Sequence, residues 1–132
     1  MMSKQVLDAS ALLAYLFDEN GADLVEKELF KGVLISTVNL SEVFSKLEER
    51  GVTINTASEQ FQNSGLYYAL EIVDFDMEQA KAAAGLRLLT KSIALSLGDR
   101  ACLALACLKG VTAITADDSW KQLKEVKVKM IR

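Results

Sequence analysis

Four acidic residues occupy positions where their chemistry could be put to use: Asp8, Glu42, Asp99 and Asp117. Asp8 interrupts an apolar run, with Val6-Leu7 before it and Ala11-Leu12-Leu13 after it. A carboxylate in such surroundings is costly unless it is solvated, paired or bound to a metal. It would serve equally as the N-cap of a following helix. Asp117 follows the apolar stretch ending at Ile114-Thr115 and could cap a short helix containing Trp120 and Leu123; its neighbour Asp118 can exchange roles with it. Asp99 sits after Ser96-Leu97-Gly98, at the start of an apolar helical pattern. An acid there complements the helix dipole, and the small residues before it suggest a tight entry that aims the carboxylate. Glu42 is the least evident of the four. Read alone, it is a first-turn glutamate paired with Lys46 on a helix surface.

The rest of the composition narrows what these acids could do. The chain has 132 residues, no histidine and two cysteines. Without histidine there is no Ser-His or Cys-His hydrolase and no His-bearing zinc site. Cys102 and Cys107 lie in one apolar stretch and read as two buried free thiols. A set of carboxylates without a dedicated nucleophile suits Mg2+ or Mn2+, which prefer oxygen ligands. Its chemistry would be metal-activated water, as in in-line phosphoryl displacement. A net charge of −3 argues against holding nucleic acid by bulk electrostatics, though not against a local basic rim.

The elements that must position these acids are legible from periodicity. Short apolar stretches at residues 5–7, 33–35, 70–73 and 111–114 read as strands, and residues 126–131 as a half-exposed edge strand. Helical patterns cover residues 9–18, 22–30, 39–50, 54–63, 77–90 and 99–109. Lys31-Gly32, Arg50-Gly51 and Lys109-Gly110 each end one of them with a cation and a glycine. Strands alternating with helices predict an α/β/α sandwich, Rossmann-like, around a mostly parallel central sheet of about five strands. All of residues 1–132 would belong to one domain. In such folds the working site lies at the carboxyl ends of the strands, where strand order reverses. If the strand before Asp117 lies beside the first one, Asp8 and Asp117 converge there.

The stretches Val6-Leu7-Asp8-Ala9-Ser10-Ala11-Leu12, Asn39-Leu40-Ser41-Glu42-Val43, Leu95-Ser96-Leu97-Gly98-Asp99-Arg100-Ala101 and Thr115-Ala116-Asp117 occur in this order. Together they resemble the PIN-domain family, particularly the VapC-type toxins of prokaryotic toxin–antitoxin pairs, from about Val6 to Leu123. The resemblance implies a PIN-like fold and a Mg2+- or Mn2+-dependent endoribonuclease. It implies that Asp8, Glu42, Asp99 and Asp117 are the metal-binding catalytic acids, with Thr115 supporting the last and Ser10 assisting the first. It raises Glu42 above its reading as a surface residue. It further implies an RNA substrate, a homodimer, and a cognate antitoxin whose tail brings an arginine to the carboxylates.

Arg87, Lys91 and Arg100 are candidates for an RNA or antitoxin rim, with surface solvation equally expected of each. Trp120 is expected in the core rather than as a base-stacking platform. The apolar stretch of residues 11–17 is too short to span a membrane and no signal peptide is evident, so the expected location is the cytoplasm. A receiver-like phosphoacceptor domain fits poorly, because only Asp8 follows the first strand. No G-x-G-x-x-G motif or P-loop supports a nucleotide-binding domain. A housekeeping RNA-processing nuclease and a non-catalytic PIN-like binding module are the remaining alternatives.

Overall fold

The computed structural model describes residues 4–132. Five strands form one parallel sheet: β1 (Gln5–Leu7), β2 (Val33–Ser36), β3 (Leu70–Val73), β4 (Ala113–Thr115) and β5 (Val128–Met130), in the order β3-β2-β1-β4-β5. Helices α1 (Ala9–Leu16) and α2 (Ala22–Lys31) connect β1 to β2. Helices α3 (Thr37–Glu49), α4 (Ile54–Asn63) and α5 (Leu66–Ala69) connect β2 to β3, and α6 (Met77–Leu89) and α7 (Leu97–Lys109) connect β3 to β4. A short 3-10 helix, Asp118–Gln122, precedes β5. This is the expected α/β sandwich with a five-stranded sheet.

Period-two alternation sorts the strand residues between two cores. Leu7, Val33, Ile35 and Ile114 pack with α1 to α5. Val6, Leu34 and Ala113 face the other way and pack with α6, α7 and the buried Trp120. Both faces are covered, so the strands read as continuous apolar runs. The chain winds outward from β1 through β2 to β3, then returns to the other side of β1 with β4. The switch point therefore lies between β1 and β4, which pair directly through Val6 with Ala113 and Leu7 with Ile114.

Several boundaries differ from the sequence reading for local reasons. Helix α3 begins at Thr37 rather than Asn39, because Ser36 both ends β2 and caps the helix, accepting from the Val38 amide at 3.1 Å. The β-branched pair Thr37-Val38 had disguised this start. Helix α5 was not anticipated; four residues are too few to show a periodicity. Cys102 is buried as expected, but Cys107 is exposed, because α7 emerges from the core in its last turn.

Gly21, at the start of α2, packs against Ile131 beyond β5. Its φ is +100°, and a methyl group on it would fall 2.7 Å from the Ile131 carbonyl oxygen and 2.8 Å from the Ile131 side chain. Ile131 is buried against the α1–α5 core, so it has little room to yield. Gly21→Ala is expected to destabilise the protein by about 2–4 kcal/mol, from backbone strain and overpacking together. Urea unfolding monitored by Trp120 fluorescence measures this, and a loss below about 1 kcal/mol would contradict the account.

Candidate functional site

Asp8 is the first residue beyond β1 and is almost fully buried, with 4% of its surface exposed. It caps α1, accepting from the Ala11 amide at 2.8 Å. Ser10 Oγ donates to both of its carboxylate oxygens, at 2.8 and 2.9 Å. Thr115 Oγ1, from the end of β4, donates to Asp8 Oδ2 at 2.5 Å. Each hydroxyl has one proton to give, and both give it to Asp8. Their lone pairs are also used, since Ser10 Oγ accepts from the Ala116 amide at 2.9 Å and Thr115 Oγ1 from the Asp117 amide at 3.0 Å. This network ties the carboxyl ends of β1 and β4 together across the switch point.

The Asp117 backbone is thereby held two residues past Thr115. Its Oδ1 accepts from the Ser119 amide and hydroxyl at 2.9 and 2.8 Å, which starts the 3-10 helix. Asp118 points away, its side chain 78% exposed and paired with Lys121 at 3.4 Å. Of the two adjacent acids, Asp117 is the one tethered to the Thr115 network.

Asp99 belongs to a capping box on α7. Its Oδ2 accepts from the Ser96 amide at 3.0 Å while Ser96 Oγ accepts from the Asp99 amide at 3.1 Å. Glu42, one turn into α3, does not pair with Lys46, which instead meets Glu49 at 3.5 Å. Its Oε1 accepts from Asn39 Nδ2 at 3.0 Å, and the same amide nitrogen donates to the Gly98 carbonyl, also at 3.0 Å. Glu42 therefore stands over the first turn of α7, close to Asp99. The surface ion pair expected from spacing alone is replaced by an attachment between α3 and α7.

Electrostatics record the same convergence. Burial raises the Asp8 carboxyl from 3.8 to about 6, against the lowering effect of the Thr115, Ala11 and Ser10 hydrogen bonds; the charge of Asp99 adds to the rise. The buried Cys102 thiol is pushed well up, first by burial and then by the charges of Asp8, Asp99 and Glu42. Three carboxylates thus act on one point near the start of α7. Among the described residues, however, no three His, Cys, Asp or Glu side chains already converge in ligating positions.

Arg100 is not the solvated side chain that its sequence position allows. It is half-buried, its Nη1 donates to the Ala83 carbonyl at 3.1 Å, and its Nε is buried without a partner. It fastens α7 to α6. Arg87 and Lys91 are exposed. Trp120 is fully buried, as expected of a core residue. Two features escaped the sequence reading. Asn39 joins the site, and its only sequence signal was an amide three residues before an acid in the first turns of a helix. Lys46, Arg50 and Arg132 border a groove of about 320 Å³ that reaches Ser10. Arg50 lies 3.8 Å over the Phe17 ring there. Nothing in the sequence places Arg132 beside helices that lie more than eighty residues away.

A doubly wound parallel sheet with Asp8 and Asp117 just beyond two adjacent strands, β1 and β4, defines the class, an α/β fold with a switch point between those strands. Comparison with known proteins agrees. The PIN domain profile matches residues 6–126, and the chain belongs to that family. No curated protein sequence is significantly similar to it. Among solved structures, DNA-bound VapBC from Salmonella typhimurium shares the fold with a TM-score of 0.74 at 16% identity, over 99% of this chain and 100% of that one. FitAcB from Neisseria gonorrhoeae gives 0.73 at 19% identity, over 96% of each chain. VapBC2 from Rickettsia felis, bound to a promoter DNA fragment, gives 0.72 at 15% identity, over 97% and 98%.

The raised Asp8 carboxyl has a consequence for stability. Below pH 3.8 it is protonated in both the folded and unfolded chain, and its burial as an acid carries no charge penalty. Between pH 3.8 and about 6 folding takes up a proton, so stability falls as pH rises. Above about 6 the full penalty applies, on the order of 3 kcal/mol for a shift of this size. Metal-free Asp8→Asn is therefore expected to be more stable than the parent at pH 8, by roughly 1–3 kcal/mol, with the gap closing toward pH 4. Urea unfolding in EDTA across that range provides the measurement. A gap independent of pH would show that Asp8 is not held as described.

Proposed function

We propose that this PIN-domain chain is a Mg2+- or Mn2+-dependent endoribonuclease and the toxin member of a VapBC-type toxin–antitoxin pair. The carrying observation is Asp8: a buried carboxylate kept costly at the switch point, with Glu42 and Asp99 acting on the same region. The donor set fits a hard divalent cation, since it offers carboxylate and hydroxyl oxygens and no imidazole. Asp8, Glu42, Asp99 and Asp117 would hold the ion, which supplies an activated water and charge stabilisation for phosphodiester hydrolysis.

The chain's own residues have distinct tasks in this reading. Ser10 and Thr115 orient the Asp8 carboxylate by donating to it, and Thr115 also holds the Asp117 backbone in place. Asp99 is aimed by its capping box. Arg50 offers positive charge beside Ser10, where a strand of acidic substrate approaching Asp8 needs it, while Lys46 and Arg132 on the same groove are paired with Glu49 and Glu19. Arg50 replaces Arg100 in that role; Arg87 remains as an exposed cation on α6.

The partner reading rests on the VapBC and FitAcB complexes that share this fold. An acidic crevice suits the basic tail of an antitoxin, because arginine pairs bidentately with carboxylates. A homodimer is supported by exposed Leu88 and Leu89 at the end of α6 and Leu97 at the start of α7, apolar surface beyond what one chain covers. Among the described residues no helix is long and apolar enough to cross a membrane, in keeping with a proposed cytoplasmic location.

The test is cleavage of structured RNAs by antitoxin-free protein in Mg2+, in Mn2+ and in EDTA. Cleavage is expected only with metal, and an Asp8→Asn/Asp99→Asn variant is expected to lose at least about a hundredfold in rate. Folded protein that cleaves nothing at excess enzyme would favour a binding module. Cleavage surviving both EDTA and the double substitution would overturn the carboxylate mechanism.

A further inference from the structure

The geometry points to Asn39 and Gly98 as positioning residues that fix where the Glu42 carboxylate stands. The inference rests on the metal-dependent reading above and deepens it. A glutamate on an exposed helix face has three rotatable bonds and ordinarily samples solvent. Here one end of the carboxylate is pinned. Asn39 is 1% exposed, and its amide nitrogen has two protons, one directed to Glu42 Oε1 and one to the Gly98 carbonyl, both at 3.0 Å. The second bond holds the amide still so that the first can hold Glu42.

Gly98 supplies the space. Its φ is not in the left-handed region, so its backbone does not require glycine. It lies in the first turn of α7, where alanine would favour the helix. Only one thing stands in the way of a side chain. A methyl group on Gly98 would fall 2.7 Å from Glu42 Cδ and 2.8 Å from Oε2, and nearer still to Oε1. The obstructed atoms are the far end of a flexible side chain, so the methyl would displace the carboxylate rather than the fold.

Asn39 bears the mark of a residue placed for something other than packing. Its Oδ1 is buried without a hydrogen-bond partner, an arrangement that costs stability and that an apolar residue would avoid. The amide and the missing side chain belong to residues 59 positions apart in sequence, joined by the Asn39–Gly98 bond, and both bear on Glu42. A role confined to joining α3 and α7 would need neither the bond to Glu42 nor the empty space on Gly98.

The experiment uses Gly98→Ala and Asn39→Ala, each also made in a Glu42→Gln background. Mn2+ alone is titrated into metal-free protein by calorimetry, thermal unfolding is followed in EDTA, and kcat and KM are measured on the RNA cleaved by the parent. Gly98→Ala is expected to unfold at the same or a higher temperature while Mn2+ affinity falls about tenfold or more. Its kcat should fall with KM little changed, and neither variant should weaken Mn2+ further once Glu42 is Gln. Parental Mn2+ affinity in Gly98→Ala, or an equal loss in the Glu42→Gln background, would overturn the assignment. If the parent itself neither binds Mn2+ nor cleaves RNA, the functional reading fails separately. The seat is then judged in metal-free protein by a cycle of Gly98→Ala with Glu42→Ala: non-additive unfolding supports it, and additivity overturns it.

Discussion

A carboxylate at the end of a central parallel strand has to be held where water is scarce, and the surroundings of Asp8 follow from that constraint. Burial opposes its charge, so it needs donors, and it has three: the Ala11 amide, the Ser10 hydroxyl and the Thr115 hydroxyl. The Ala11 amide requires α1 to start immediately after β1. The Thr115 hydroxyl requires β4 to lie directly beside β1. The donors lower the carboxyl but do not cancel burial, and the net position is raised. A group left so poised is poorly used as a simple helix cap, for which an exposed acid would serve at less expense in stability.

The same economy of parts recurs around the crevice. Asp8 and Asp117 each cap a helix and Asp99 lies in the first turn of one, and each therefore meets amide groups at the positive end of a short dipole. Capping explains why these acids are tolerated, and the Thr115 hydroxyl ties Asp8 and the Asp117 backbone together at the ends of β1 and β4. Capping and ligation are not rivals. A cap restricts the side chain's rotamers, and a restricted carboxylate is a better-aimed ligand. Glu42 is the exception, since it lies within a helix rather than at its start. It is held by a neighbouring amide and accommodated by the bareness of Gly98 instead.

Cations follow a different logic. Arg100, adjacent to an acid in sequence, turns toward α6 and serves packing. The cations that reach the Ser10 side of the crevice come from α3 and the last residue of the chain. Proximity along the chain is a weak guide for long side chains, because an arginine can reach several ångströms in any direction its rotamers allow.

Much of this protein was determined locally and is legible in the sequence. Strand periodicity, helix punctuation by cation-glycine pairs and the stretches around Asp8, Asp99 and Asp117 depend on neighbours a few residues apart, so they give the alternating α/β order and mark three of the acids. The spacing of Glu42 favours a pair with Lys46, which the structure replaces with a bond from Asn39, and only the resemblance to a family groups Glu42 with the other acids. Tertiary structure decided the rest. The adjacency of β1 and β4, the bridge from Asn39 to Gly98 and the groove closed by Arg132 join segments distant in sequence. Those contacts depend on how helices settle on a twisted sheet, a collective outcome of packing that no local window of residues contains.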